Sequence, residues 1–224
     1  MVTVLNEHVV LDTTDADAVC PQVAKFFWQH EIVASAGPAH VVHACTTVGQ
    51  GTAIHYHTYG QDTAIRVFPR DDDNYTTDCY VLLRPLRGVI TVRGESPVGP
   101  ADILAINPDD EPLDLRWSAD CAVLAMSVAR SVVHPVVAGL AGLAIGAPLR
   151  FTRATASPGS SAWWDLVRWT AESRPSRAIA GHPLLTHNFE RLLVTALVVD
   201  QAHTYTMELP EPAGTPSLIW DSAA

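Results

Sequence analysis

The stretch from Ala39 to Val128 constrains the fold most. It is a succession of short segments rich in Val, Ile, Thr and Tyr, broken by Gly, Pro and Asp clusters. The breaks recur every roughly 8 to 12 residues, the spacing of strands in an all-β body. Strands are predicted at His40–Val48, Thr52–Tyr59, Ala64–Phe68, Cys79–Pro85, Val89–Arg93, Asp102–Ile106, Leu113–Trp117 and Val123–Val128. The clearest turns are Asp71–Asn74 and Asn107–Glu111. So many strands leave long unpaired edges unless the sheet closes or rolls, and a barrel is expected.

Helical patterns flank this body. Residues Asp15 to Glu31 carry Val19, Val23, Phe26 and Phe27 at helical spacing and predict a short amphipathic helix despite Pro21. After Ala129, SVVHPVVAGLAGL and SSAWWDLVRWTAES read as two helices. Ser160 or Ser161 suits the cap of the second and Asp165 its first turn, while Trp163, Trp164 and Trp169 are packing residues. The longest pattern is His182–Tyr205, where Leu185, Phe189, Leu192, Leu193, Ala196 and Leu197 recur at i, i+3, i+4 and i+7. Pro183 fits its first turn. These six residues span more than one narrow face, enough to serve the chain's own core and a partner at once. The last residues, LPEPAGTPSLIWDSAA, hold three prolines and read as a linker or disordered tail. The expected organisation is therefore α+β, mainly β. Residues 1–38 form an N-terminal arm and short helix, 39–129 a β-barrel, 130–205 a helical region and 206–224 the tail.

Composition narrows the function classes. A net charge of −10, with 24 acidic against 14 basic residues and no Lys/Arg cluster, argues against phosphate contacts by this chain. The longest apolar runs are broken by Pro, Gly and His and fall short of a membrane span, and the N-terminus lacks a signal-peptide pattern, so a cytoplasmic location is expected. Cys20, Cys45, Cys79 and Cys121 are widely spaced without a CxxC pair and read as free, buried thiols.

Candidate chemistry centres on GQGTAIHYHTYGQD, Gly49 to Asp62, where His55 and His57 lie two apart in a strand and share a face. Such a pair can chelate a metal, orient a polar ligand, or simply hydrogen-bond within a barrel wall. The spacing resembles the first motif of the cupin superfamily, with Gln61 or Asp62 in the acidic place. The second cupin motif is echoed by Pro97 and Gly99, with Asp102 where the third histidine would stand. These replacements weaken a transition-metal site, so no metal or other cofactor is expected. Arg84 in YVLLRPL shares a strand with Tyr80 and Leu82. Inward, its planar fork would favour a carboxylate ligand; outward, it would be solvated. Together with Trp117, the residues His55, His57, Tyr80 and Arg84 are the candidate ligand-binding set. Neither GxSxG, a phosphate-cradling glycine loop, HExxH nor CxxC occurs, so the chain is not expected to be an enzyme. The alternative is a metal-dependent cupin enzyme using His55, His57, Asp62 and Asp102.

The order of motifs resembles the N-terminal sensor and dimerisation half of AraC/XylS-type transcription regulators, the AraC-binding-like domain. The resemblance rests on Tyr59 to Val67, YVLLRPLRG at Tyr80 to Gly88, the stretch Pro97 to Asp102 and INP at Ile106 to Pro108. It continues through Asp120 to Val133 and GAPLRF at Gly146 to Phe151, and is most specific in PLLTHNFERLLVTALVVDQAHTY. It covers Leu11 to Tyr205. The family implies a cupin-like double-stranded β-helix barrel that receives a small effector and helices that pair two subunits. It also implies DNA binding through two C-terminal helix-turn-helix units. The dimerisation residues would be Leu185, Phe189, Leu192, Leu193, Ala196 and Leu197. Only 19 residues follow Tyr205, against the order of 100 that such units require by resemblance. The chain is expected to be the sensor part of a longer regulator.

Overall fold

The computed structural model describes Leu5 and residues 8–24, 29–69, 78–142, 146–156, 162–173 and 182–206. Within these, antiparallel pairing builds two sheets. The larger sheet has seven strands in the order β1 (Val9–Thr13), β3 (Val41–Val48), β4 (Thr52–Thr58), β10 (Ala122–Ala129), β6 (Cys79–Arg87), β8 (Asp102–Ile106) and β11 (Ala154–Ala156). The smaller has four, in the order β2 (Gln29–Ser35), β5 (Thr63–Phe68), β9 (Leu113–Trp117) and β7 (Ile90–Val92). Helices α1 (Ala16–Val23), α2 (Arg130–Ala141), α3 (Ala162–Ser173) and α4 (Pro183–Asp200) complete the fold.

All eight predicted strands are present, most within a residue or two of their expected ends. The stretch expected to be an arm with a helix differs. It yields the short α1, but also β1 and β2, one added to each sheet. Their sequences, VVLDT and QHEIVAS, are too short and mixed to announce themselves, and they are strands because β3 and β5 offer open edges. The short β11 pairs with β8 for the same reason. Phe26, Phe27, Asp71 to Asn74, Ser160, Ser161 and the tail beyond Thr206 lie outside the described residues.

The seven-stranded sheet divides the buried residues into two cores. Between the sheets, Val81, Leu83, Val123 and Ala125 meet Ile65, Val67 and Leu115. On the other face, Tyr80, Leu82, Leu124 and Met126 meet Val133 and Val137 of α2, Trp163 and Val167 of α3 and Leu193 and Leu197 of α4. Strand β10 contributes to both, which is why it reads as an unbroken apolar run rather than an alternation. The predicted turn at Asn107 forms, with Asp110 donating its N–H to the Asn107 carbonyl at 3.1 Å and accepting the Asn107 N–H at 2.9 Å. Asn107 then grips the backbone of Phe151 through both side-chain atoms, at 2.8 and 3.2 Å, tying the connection after α2 to the barrel rim.

The helix α4 has two different sides. Leu193, Val194, Leu197 and Val198 are buried in the helix-side core. The opposite stripe, Leu185, Phe189, Leu192, Ala196 and Val199, follows a 4-3-4-3 spacing. Here Leu185 and Leu192, two of the six residues expected to pair, are 47% and 52% exposed, as is the neighbouring Val199 at 58%, while Phe189 and Ala196 are half-buried against the core. Leu193 and Leu197, expected in the same face, are fully buried in this chain's own core and have no surface left for a partner. Sequence periodicity did not separate the two stripes because the helix is apolar around most of its circumference.

Candidate functional site

Alternation along β4 aims its side chains at different cores. Ile54 and Tyr56 face the helices, while His55 and His57 face the space between the sheets. The sequence placed these two histidines on one face, and the fold adds two more imidazoles. His43 sits directly across from His57 in the β3–β4 ladder, and buried His30 sits opposite Val67 in the smaller sheet. Nδ1 of His43 and Nδ1 of His57 are 3.1 Å apart, so one ring donates and the other accepts. Nε2 of His55 lies 2.8 Å from Oγ of Ser127 on the neighbouring β10. His30 and His43 were missed because their significance is purely cross-strand; neither forms a local motif.

The interior keeps His43, His55 and His57 neutral. Burial pushes the His43 imidazole down to about 4, assisted by the nearby His30. Burial likewise holds His55 and His57 well below the ordinary histidine range, with His43 adding to the effect. A charged imidazole here would lose its hydration without a buried counter-charge to replace it.

Beside the histidines lies a corner of three rings. His57, Tyr59 and Trp117 meet edge to face, with centroids 4.6 Å (His57–Tyr59), 5.5 Å (His57–Trp117) and 5.2 Å (Tyr59–Trp117) apart. This corner borders a cavity of about 50 Å³, room for roughly one or two water molecules. Its remaining walls are Val67, Val81, Leu83, Ile106 and Leu115 from the strands, with His30 from β2 and Val23 from α1. Among the described residues, the buried indole Nε1–H groups of Trp117 here and of Trp163 in the helix-side core have no hydrogen-bond acceptor.

Of the expected ligand-binding set, His57 and Trp117 line this cavity, and His55 lies one pleat further along the same face. Tyr80 and Arg84 do not belong to it. They sit on the opposite face of β6, because the inward positions of that strand are Val81 and Leu83. Tyr80 donates its hydroxyl to the Leu149 carbonyl at 3.0 Å and has His134 Nε2 at 3.1 Å. Arg84 donates to the Pro100 carbonyl at 2.8 Å and lies over the Trp164 ring at 5.3 Å. It is therefore neither inward nor fully solvated but half-buried beneath α3.

The acidic residues of the cupin-type metal set are not drawn in either. Asp62 is exposed beyond the end of β4, and the Asp102 carboxylate accepts the Gly99 N–H at 3.0 Å. Among the described residues, no three His, Cys, Asp or Glu side chains converge to hold a metal ion. The four cysteines are free.

A second feature joins the barrel to α4. Glu190, only 5% exposed, accepts the backbone N–H of Gly51 at 2.9 Å and of Gln50 at 3.4 Å. These belong to the β3–β4 turn, directly before the strand that carries His55 and His57. Gly49 has φ +78°, and a Cβ there would stand 2.3 Å from the Glu190 carboxylate, so only glycine permits this approach. The turn, α2 and the first half of α4 border a groove of about 830 Å³.

Fold and site together define a β-barrel whose largely apolar interior holds a cluster of histidines, backed by a helical layer. The family comparison makes this specific. The AraC-binding-like domain matches residues 19–198, and the chain belongs to that family. Among solved structures it resembles the AraC-like transcriptional activator CuxR, with a TM-score of 0.50 at 9% identity over 78% of this chain and 62% of that one. The chain thus spans less than two thirds of that relative. Similarity also extends to quercetin 2,3-dioxygenase from Acinetobacter baumannii, with a TM-score of 0.33 at 12% identity over 43% of this chain and 33% of that one. For an oxalate decarboxylase variant from Bacillus subtilis the TM-score is 0.28 at 10% identity over 43% of this chain and 27% of that one. No curated protein matches the chain in sequence. No described helix is long and apolar enough to cross a membrane.

Proposed function

We propose that this chain is the effector-sensing and dimerisation domain of an AraC-type transcription regulator. The observation that carries the reading is the Glu190 contact, which ties the barrel hairpin bearing His55 and His57 to the helix whose outer stripe is open. An occupant of the barrel that displaces β4 also displaces the turn held by Glu190, and hence α4. It biases the helix only as far as its affinity differs between the two dispositions. The partner for the stripe of Leu185, Phe189, Leu192, Ala196 and Val199 is a second copy of this chain, packed through a short coiled-coil-like seam. Trp169, 46% exposed and edge to face with Phe189 at 6.1 Å between centroids, widens that seam.

DNA is reached through an attached helix-turn-helix domain, consistent with an acidic sensor that offers no phosphate-binding patch. The reading favours binding over turnover, since Asp62 and Asp102 lie away from the imidazoles they would have to assist. Light scattering on the eluting protein, with and without compounds that raise its melting temperature, tests the proposal. The expected species is a dimer whose stability or shape changes with the compound. A monomer at tens of micromolar removes the dimerisation part.

A further inference from the structure

The groove between the β3–β4 turn, α2 and α4 differs from the barrel cavity in both scale and chemistry. At about 830 Å³ it has the room of a small-molecule site, against about 50 Å³ between the sheets. Its α2 wall is apolar: Val132, Pro135 and Val136 recur at i, i+3 and i+4, with Pro135 exposed and both valines only half-buried. Ala129 and the glycine turn continue that surface, since a Cβ on Gly51 would stand 2.5 Å from Val132 Cγ2.

Two acceptors accompany this wall. Glu190, 5% exposed, borders the groove together with Gly49, Gln50 and Gly51, the residues its carboxylate touches. Oε1 takes the Gly51 N–H at 2.9 Å, but Oε2 has only the Gln50 N–H, at 3.4 Å. Strong bonds to a carboxylate are shorter, at about 2.7–2.9 Å, so Oε2 keeps acceptor capacity. Among the described residues Glu190 forms no ion pair, whereas a buried charge is ordinarily matched by an opposite one. The other acceptor is the backbone carbonyl of Ser131, which also borders the groove; Pro135, four residues further along α2, has no N–H to give it. The cationic side of the balance is weaker. Arg191 and His187 border the groove but are exposed, where water and salt loosen their hold on an anion.

We propose that this groove is a binding site, separate from the barrel interior, for a small cationic amphiphile. Its ammonium group pairs with Glu190 Oε2, and its hydrocarbon body lies along Val132, Pro135 and Val136. The site stands whether or not the barrel itself takes an effector.

The test titrates the full chain with phenethylamine, phenethyl alcohol and phenylacetate, which share one shape and differ in charge, and follows the Gln50 and Gly51 amides in ¹H–¹⁵N spectra. The amine is expected to bind saturably and shift both amides, the alcohol to bind about tenfold more weakly, and phenylacetate weakest of all. Glu190→Gln keeps an acceptor for the Gly51 N–H and removes the charge; amine affinity should fall about tenfold while that of the alcohol is unchanged. Ser131→Trp, at an exposed position on the groove's edge, leaves Glu190 in place and should weaken the amine and the alcohol alike, a readout independent of how well the glutamine variant folds. Phenylacetate binding as tightly as the amine overturns the proposal, as do amine-induced shifts confined to other parts of the chain, full amine affinity in Ser131→Trp, or no saturable binding of the amine.

Discussion

The two faces of the seven-stranded sheet were built for different tasks. The helix side is mostly hydrocarbon packed against hydrocarbon, Leu82, Leu124 and Met126 against Trp163, Val167, Leu193 and Leu197, with the Tyr80 hydroxyl and Arg84 paired to backbone carbonyls. The barrel side places four imidazoles among aliphatic walls and leaves a cavity. The first arrangement maximises contact and therefore stability. The second gives up some of that contact to hold buried imidazoles beside a cavity, which under the proposed sensor reading is where an effector would sit.

The largest effect that separates the two comes from the helix side. Leu193→Asp forces an unpaired charge into a fully packed core and should cost more than about 4 kcal/mol, seen as loss of soluble, cooperatively melting protein. Leu193→Ala should cost about 2–5 kcal/mol through the cavity it leaves.

Acid strikes the barrel side instead. The unfolded His43 takes up a proton near pH 6.5, whereas the folded residue resists until about 4. Its contribution is therefore fully present above pH 6.5 and is lost as pH falls toward 4. For His43 alone this amounts to about 3 kcal/mol, and His55 and His57 act in the same direction. Denaturant midpoints at pH 7.5 and pH 5 should differ accordingly. Replacing His43 with a non-titrating residue should flatten the profile, and an unchanged midpoint would contradict the neutral interior.

The connection between the two regions is weaker than either. Glu190→Ala should cost about 1–3 kcal/mol by orphaning the Gly51 and Gln50 amides, and hydrogen exchange at Gly51 should accelerate. Glu190→Gln, which retains one acceptor, should lose less. If the sensor reading is right, Glu190→Ala also uncouples occupancy of the barrel from any change in the dimer while leaving affinity for that occupant nearly intact.

The smallest effect on the fold should come from the outer stripe of α4. Leu192→Asp and Leu185→Asp are expected to stay within about 0.5 kcal/mol of the parent in the isolated chain, since both side chains are half exposed. Their consequence is the oligomeric state: light scattering should report a monomer. A dimer that survives both substitutions places the seam elsewhere.

Adjacent residues show how far sequence reasoning reached. Leu192 and Leu193 are the same residue type in the same helix, and the local pattern assigned them to one face. Packing against α2, α3 and the sheet buried one completely and left the other half exposed. Likewise, alternation correctly put His55 and His57 side by side. It could not say that Tyr80 and Arg84 would fall on the far face of β6, because which parity points inward depends on the neighbouring strands.

The sequence by itself determined the eight central strands, the helices and the pairing of His55 with His57, because periods of 2 and 3.6 are local properties of the backbone. It also carried the family resemblance. Only the tertiary structure decided that β1, β2 and β11 exist, that His30 and His43 join the barrel interior and that Glu190 reaches across to Gly51. Each of these depends on residues distant in the chain meeting across a ladder or a packed interface, and such meetings leave no periodic trace.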